Sequence, residues 1–314
     1  MQAVVVSEFG GPEQLRLTEA AAPVPGRGQV RIRVRAAGIN PVDAGNRADG
    51  SWAGLRVPCI LGYDVAGDVE SLGPGVSGLR VGDRVMAMTH FPDGASGYAE
   101  LTVADADLVA PIADETSFTQ AAATPLAAGT AELVLDRLSL GPDSRLLVTG
   151  GSGGVGLFLL QMAARRGIEA IGVGRTAMHE RMRALGAATC LDYTAGDVAR
   201  QALALAGRPV DAIAALVGGP HLAAAFGALW TGGQIASIAT PDLDIDQLLD
   251  ANITFHGVLI GDDGDRTRRL AAQLADGSLR AVVSHELPLG EASHAHRILE
   301  QGHAGGKIVL RVPG

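Results

Sequence analysis

The sequence predicts an α/β fold: a doubly wound parallel sheet joined to a β-rich part drawn from both chain ends. Three observations carry this. Strand and helix signals alternate with short loops from about residue 146 to residue 238, the pattern of a parallel sheet covered on both faces. The first hundred residues read instead as short strands and turns. Between a buried-looking strand and an apolar helix stands a glycine run, Gly150-Gly151-Ser152-Gly153-Gly154-Val155-Gly156.

Taken in order, Met1-Gln2-Ala3-Val4 begins a strand and lacks the basic region and apolar core of a secretion signal. Val30, Ile32 and Val34 alternate with Arg31, Arg33 and Arg35, the period of a half-buried strand with one charged face. Pro23-Val24-Pro25-Gly26 before it and Gly38-Ile39-Asn40-Pro41 after it are turn chemistry. Residues 64–69 and 82–86 carry further strand signals, with turns at Gly73-Pro74-Gly75 and Pro92-Asp93-Gly94. Residues 119–136 are Ala-rich and read as one helix, closed by Gly141-Pro142-Asp143. The alternation then runs strand 146–149, helix 157–166, strand 170–173, helix 178–185, strand 189–191 and a helix near 198–206. Strand 212–217, helix 221–230 and strand 234–238 continue it. Beyond about Phe255 come a further strand, a helix over 266–275 and the strand Lys307-Ile308-Val309-Leu310. That last piece is too short for a domain of its own and is assigned to the N-terminal part.

A chain of 314 residues is long enough for two domains with real cores. Aromatic residues make up only 4%, so packing rests on Ala, Val, Leu and Ile, which suits buried parallel strands. The net charge of −9 without a basic block argues against a nucleic-acid partner. No apolar run reaches the roughly 18 residues of a membrane span. Cys59 and Cys190 stand alone, which suits a reducing cytoplasm and implies no disulfide framework.

The glycine run has three readings: a plain βα turn, a hydrolase nucleophile elbow, and a pyrophosphate cradle. Gly150-Gly151-Ser152-Gly153-Gly154 fits G-x-S-x-G, with Ser152 as nucleophile and His221 or His256 as nominal partners. No His-Gly-Gly run precedes it to make an oxyanion loop, and the elbow leaves Gly156 unexplained. Gly151, Gly153 and Gly156 fit G-x-G-x-x-G, where glycines let backbone N–H groups approach a pyrophosphate at a helix start. No Lys-Ser/Thr pair follows, which excludes a P-loop. About 20 residues on, the next strand ends in Gly174-Arg175-Thr176. An acid there would suit the ribose hydroxyls of NAD; Arg175 and Thr176 suit the 2′-phosphate of NADP by charge-assisted hydrogen bonds. The cradle is the preferred reading and NADPH the preferred cofactor.

The chain resembles a zinc-independent member of the medium-chain dehydrogenase/reductase superfamily, near its quinone oxidoreductase and enoyl reductase branch. The matching segments run end to end: Phe9-Gly10-Gly11-Pro12-Glu13, Gly38-Ile39-Asn40-Pro41-Val42-Asp43, Gly62-Tyr63-Asp64-Val65-Ala66-Gly67 and Val81-Gly82-Asp83-Arg84-Val85. Gly97-Tyr98-Ala99-Glu100, Gly129-Thr130-Ala131, the glycine run, Leu185-Gly186-Ala187, Gly232-Gly233 and Gly306-Lys307-Ile308-Val309-Leu310 follow. The resemblance implies a GroES-like substrate domain from residues 1–120 and 256–314, and a Rossmann NADPH-binding domain over 121–255. It further implies a homodimer and a small-molecule quinone or α,β-unsaturated carbonyl as substrate. Catalytic zinc in related branches needs a Cys after the Gly-Ile turn and a His in Gly-His-Glu. Here those places hold Asn40 and Tyr63, so no metal is expected. The scattered His285, His294, His296 and His303 are expected to be exposed.

Without metal, hydride delivery to an electron-poor alkene or quinone needs only alignment and hydrogen bonds to the developing oxyanion. By resemblance Asn40 is the first choice for a donor to nicotinamide and substrate, and Tyr63 for a second donor or proton source. The bland alternatives are an Asx-turn for Asn40 and a buried, backbone-satisfied Tyr63. Asp43 is placed in the substrate pocket with Asn40, Trp52 and Tyr63, and is read as fixing Arg47 or the turn rather than transferring a proton. Trp52 is read as a wall of that pocket. Thr130 is expected at the nicotinamide carboxamide and Tyr193 at the adenosine 2′-phosphate. Lys307 is assigned to the cofactor, against the alternative of a solvated strand-start lysine. Val217, Ala239 and Leu259 complete the cofactor-binding set. The competing functions are a sensor or structural protein that binds NADPH without turnover, and a Ser152 hydrolase.

Overall fold

The computed structural model describes residues 1–92 and 94–313, so Asp93 of the Pro92-Asp93-Gly94 turn lies outside the described residues. In chain order, β1 (Gln2–Val6), β2 (Leu15–Glu19) and the long β3 (Gln29–Ile39) lead into α1 (Pro41–Ala48). Next come β4 (Cys59–Ile60), β5 (Asp64–Leu72), β6 (Arg84–Met88), β7 (Leu101–Asp105) and β8 (Val109–Pro111). Helices α2 (Phe118–Ala122) and α3 (Pro125–Arg137) replace the single helix expected over 119–136. Pro125 explains the break: without an N–H it cannot extend α2, and its fixed φ suits the first turn of α3.

Then β9 (Arg145–Thr149), α4 (Gly154–Arg165), β10 (Glu169–Val173), α5 (His179–Ala184), β11 (Thr189–Leu191) and α6 (Val198–Ala206) alternate. The series continues through β12 (Val210–Ala215), α7 (His221–Phe226), β13 (Leu229–Ser237), α8 (Ile245–Asp250) and β14 (Thr254–Gly257). The chain closes with α9 (Gly264–Ala275), β15 (Val283–Pro288), α10 (Ala292–Gln301) and β16 (Lys307–Arg311). Helix α7 is shorter than the expected 221–230 because β13 already begins at Leu229. No helix among the described residues is long and apolar enough to cross a membrane.

The chain divides into two compact units, Met1–Gly129 with Gly261–Gly314, and Thr130–Ile260. The first boundary lies beyond residue 120 because α2 packs on β3, β5 and β6 of the first unit's sheet. That unit holds a seven-stranded sheet ordered β15-β16-β3-β5-β6-β8, with β7 also paired to β3, and a small sheet β2-β1-β4. Val30, Ile32 and Val34 of β3 enter one core with Leu287, Ile308 and Leu310 from the far end of the chain. The opposite face of β3 pairs its charges: Arg31 and Arg33 meet Glu70, and Arg35 meets Asp68 at 2.7 Å. Strand β16 runs antiparallel to β3, with Ile308 opposite Ile39. This register carries Lys307 to the end of β3, where Asn40 begins α1.

In the second unit all six strands are parallel, in the order β11-β10-β9-β12-β13-β14. Leu147, Ile171, Leu191, Ile213 and Ile235, one from each of five strands, lie in a common core. Successive strands run outward from β9 to β11, and then the order reverses at β12. Such a switch point opens a crevice at the carboxyl ends of the strands, which is where doubly wound folds bind ligands. The glycine run leaves β9 at that point.

Candidate functional site

The second unit builds its site from backbone. After β9, Gly150 turns the chain with φ +70°, a conformation that side chains with a β-carbon resist. The Gly151 N–H donates to the Val173 carbonyl at 2.9 Å, and the Gly153 N–H to the Gly150 carbonyl at 3.0 Å. Gly153 is the N-cap of α4 and has no side chain to cap with. The helical ladder starts only at Leu157, whose N–H bonds the Gly153 carbonyl at 3.0 Å. The N–H groups of Gly154, Val155 and Gly156 therefore stand before the ladder, at the positive end of the helix. A β-carbon on Gly156 would lie 2.4 Å from the Gly150 oxygen, and one on Gly151 3.1 Å from Gly172 Cα. The backbone at Gly156 leaves no room for a β-carbon and that at Gly151 leaves little, and the loop forms a cradle that fits a pyrophosphate. Val217 borders it, its Cγ2 3.2 Å from where a Gly150 β-carbon would sit.

At the end of β10, the exposed Arg175 donates from Nε to the Tyr193 hydroxyl at 3.0 Å. The structure thus brings together two of the residues expected at a 2′-phosphate. The Tyr193 ring in turn meets His221 edge-on, with centroids 5.9 Å apart. Thr176 needs correction. Its N–H donates to Asp192 Oδ2 at 2.7 Å and its hydroxyl bonds the same oxygen, so that proton is not available to a phosphate. Thr194 fills the other carboxylate oxygen through its N–H at 2.8 Å and its hydroxyl at 2.7 Å. Hydrogen bonds from Thr176 and Thr194 hold the Asp192 carboxyl well below the usual carboxylate range. The acid absent from the end of β10 stands instead at the end of the neighbouring strand, β11. The signal was Leu191-Asp192-Tyr193, one parallel strand over.

The remaining second-unit residues are dispersed. Ala239 follows β13, its carbonyl accepting from the Ser237 hydroxyl at 2.7 Å, and its Cβ lies 3.6 Å from a β-carbon built on Gly218. Leu259 is 61% exposed, and Thr130 is buried in α3. The Ser152 hydroxyl lies 3.1 Å from a β-carbon built on Gly174 and makes no hydrogen bond to a histidine among the described residues. His221 is engaged with Tyr193, and the buried His256 Nε2 has no hydrogen-bond partner among the described residues. Among the described residues no Ser-His pair forms.

The first unit builds its site from side chains. Asn40 is the N-cap of α1, and its backbone N–H donates to Asp43 Oδ2 at 2.8 Å. Its carboxamide lies between two buried charges, donating from Nδ2 to Asp64 Oδ2 at 2.9 Å and accepting on Oδ1 from Lys307 Nζ. Lys307 is 4% exposed, so the solvated alternative is excluded. Burial pushes the Lys307 ammonium down and the Asp64 carboxyl up, and each charge opposes the shift of the other.

Tyr63 corrects a second expectation. It is fully buried; its hydroxyl donates to the Pro92 carbonyl at 2.5 Å and accepts from Asn46 Nδ2 at 2.6 Å. Its proton is committed to backbone, as in the bland alternative. Phe91 packs edge-on against Tyr63 with centroids 4.9 Å apart, and the exposed Trp52 meets Phe91 at 5.8 Å. Asp43 fixes the turn but does not hold Arg47. Arg47 donates to the Gly10 carbonyl at 2.9 Å, meets His296 Nδ1 at 3.2 Å and pairs with Glu300.

His296 is fully buried, against the expectation that the C-terminal histidines are exposed. Burial and the Arg47 charge push it down to about 3, so it is neutral. A guanidinium can only donate, so Nδ1 accepts from Arg47 and the proton sits on Nε2. Nε2 stands 3.2 Å from the Tyr98 hydroxyl, which donates to Asp43 Oδ2 at 3.0 Å. Asp43 Oδ1 is buried without a partner among the described residues. Burial raises Asp43 to about 7, against the lowering effect of the Asn40 and Tyr98 hydrogen bonds. Among the described residues, no group of three or more His, Cys, Asp or Glu side chains is arranged to hold a metal ion.

Comparison with known proteins agrees with this architecture. The family "Alcohol dehydrogenase GroES-like domain" matches residues 26–114, and "Zinc-binding dehydrogenase" matches residues 185–310. Over 323 residues the chain is 30% identical to the quinone oxidoreductase of Lama guanicoe, spanning 99% of this chain and 97% of that protein. It is also 30% identical over 334 residues to the chloroplastic NADPH-dependent alkenal/one oxidoreductase of Arabidopsis thaliana, spanning 99% of this chain and 79% of the relative. A mycobacterial structure complexed with NADPH matches with a TM-score of 0.88 at 30% identity, covering 99% of this chain and 100% of that one. A GroES-like unit and a Rossmann unit with its glycine cradle define the class, an oxidoreductase. The chain belongs to the medium-chain dehydrogenase/reductase superfamily, in the quinone oxidoreductase and enoyl reductase branch.

Proposed function

We propose that this chain is an NADPH-dependent oxidoreductase that reduces a quinone or an α,β-unsaturated carbonyl without a metal ion. The observation that carries the proposal is the cradle of Gly150–Gly156, whose N–H groups precede the α4 ladder, together with Arg175 held by Tyr193. Bound NADPH would supply the hydride. The N–H groups of Gly154, Val155 and Gly156 would hold its pyrophosphate, and Arg175 and Tyr193 its 2′-phosphate. The NADPH-complexed neighbour and the NADPH-dependent alkenal/one relative support this choice over NADH.

Asn40 is the residue we assign to the substrate oxygen, where an amide N–H would stabilise the charge that develops as hydride arrives. The metal-free part rests on donor chemistry: the Asn40 cluster offers an amide, two carboxyl groups and an ammonium, but no thiolate. Trp52 we assign to a substrate wall. The lone cysteines fit a cytoplasmic protein, and the family resemblance suggests a homodimer, which light scattering would check.

The test is NADPH absorbance against a panel of quinones and enones. Turnover with either class supports the reading. Tight NADPH binding with no turnover across the panel would point instead to a sensor, and phosphonate labelling of Ser152 without NADPH binding to a hydrolase.

A further inference from the structure

The Asn40 carboxamide is gripped at both ends, and the grip decides which way it faces. Lys307 Nζ donates to Asn40 Oδ1 and, at 2.9 Å, to the Ile39 carbonyl. It stands 3.8 Å from Asp64 Oδ2, the atom that accepts from Asn40 Nδ2 at 2.9 Å. Asp64 Oδ1 is fixed separately by the Leu126 N–H at 2.8 Å. An ammonium only donates and a carboxylate only accepts. Chemistry therefore sets the amide's orientation, oxygen to Lys307 and nitrogen to Asp64. A carboxamide nitrogen carries two hydrogens. One is spent on Asp64, and the other has no acceptor among the described residues.

We propose that Lys307 and Asp64 are positioning residues: by holding opposite ends of the Asn40 carboxamide they forbid its flip and reserve one N–H for the substrate oxygen. This rests on the reading of Asn40 as the substrate's donor. It reassigns Lys307 from a cofactor contact to a residue that acts through Asn40. The energetics favour a rigid grip. A buried ion pair is worth its desolvation only when the remaining hydrogen-bonding capacity is filled. Here Ile39, Leu126 and Asn40 fill it. Flipping the amide would set Nδ2 against the ammonium and Oδ1 against the carboxylate, replacing two hydrogen bonds with two repulsive contacts.

The sequence contains only three asparagines, Asn40, Asn46 and Asn252. Selective 15N-Asn labelling therefore gives three side-chain amide signals, assigned by single substitution. The variants are Lys307→Met and, because that change strands the Asp64 charge, the neutral double variant Asp64→Ala with Lys307→Met, which adds no asparagine. We expect the Asn40 amide protons to exchange with solvent at least about tenfold faster in the variants, with the Asn252 signal unmoved. We expect kcat to fall at least about tenfold, with the NADPH Kd within about twofold of the parent. In an Asn40→Ala background, Lys307→Met should change kcat by less than about twofold, because the two act as one unit.

An NADPH Kd weakened tenfold or more with unmoved Asn40 signals would overturn the proposal and return Lys307 to the cofactor. A further kcat loss from Lys307→Met in the Asn40→Ala background would overturn it as well. If Asn40→Ala leaves kcat intact, the substrate-donor reading falls by itself. The amide signals then still decide whether Lys307 and Asp64 hold the side chain.

Discussion

The glycine cradle of the second unit and the polar cluster of the first both gather hydrogen-bonding groups, by opposite means. In the cradle the donors are main-chain N–H groups within seven consecutive residues, left ahead of the α4 ladder by a close turn that Gly150, Gly151 and Gly156 permit. In the cluster the charged and amide groups are side chains, seated by a few backbone contacts, and Lys307 reaches Asn40 across 267 residues of chain. The contrast shows where each is vulnerable. Proline aside, no substitution deletes a backbone donor; other residues can only obstruct it by added volume. Side-chain donors can be deleted singly, and each deletion strands a buried polar neighbour.

The largest effect should come from adding volume to the cradle. Gly156→Val would drive a branched side chain into the Gly150 carbonyl, where a β-carbon alone already lies at 2.4 Å. Losing two N–H contacts to an anion predicts NADPH binding weakened about 100-fold. Fluorescence titration measures this, with circular dichroism to check the fold; an unchanged Kd would break the comparison on the backbone side. Next is Arg175→Ala, which removes a charge-assisted hydrogen bond. NADPH should weaken roughly 10- to 100-fold and NADH less than about twofold. Equal losses for both cofactors would remove the 2′-phosphate assignment.

A smaller effect sharpens the side-chain half. Asp43 titrates near 7 in the fold against an ordinary 3.8. Its folded value is raised, so its stabilising contribution is complete below about 4 and is lost as pH rises through about 7. Asp43→Asn abolishes that loss. The stability of the variant relative to the parent should therefore climb by about 2 kcal/mol from pH 5 to pH 8, read from paired denaturant melts. A flat difference would show that Asp43 is already ionised at pH 5. The smallest effect is expected from Ser152→Ala, with NADPH affinity and turnover within about twofold of the parent, since removing a hydroxyl there leaves the cradle's N–H donors in place. A loss of activity with NADPH binding intact would make Ser152 a participant rather than a loop filler.

The same contrast governs what the sequence made legible. The cradle is local: glycine spacing, the preceding strand and the following helix sit in one window. Val217 falls beside it because parallel strands end together. Most of the cluster is not local. Tyr98 stands in the Gly97-Tyr98-Ala99-Glu100 segment, but its partner His296 is 198 residues away. In sequence His296 is one of several scattered histidines, and only the packing of α10 distinguishes it as buried. Thr176 departs from its expected role for a related reason. Its partner Asp192 ends β11, and only the pairing of β10 with β11 brings the two together. Alternation predicted the parallel sheet well, whereas the split between α2 and α3 required giving Pro125 its full weight.

The pairing of β16 with β3 has a consequence for biosynthesis. The Thr130–Ile260 unit is one uninterrupted stretch and can fold while the ribosome is still adding residues beyond it. The other unit waits for β16, since Lys307 and Ile308 occupy the place beside Ile39 and Asn40. Until that strand emerges, Asp64 has no counter-charge and the Asn40 amide is free to turn. Closing so long a loop costs little more than closing one half its length. The delay is therefore one of timing, and a nascent chain gains its glycine cradle before the Asn40 amide is set.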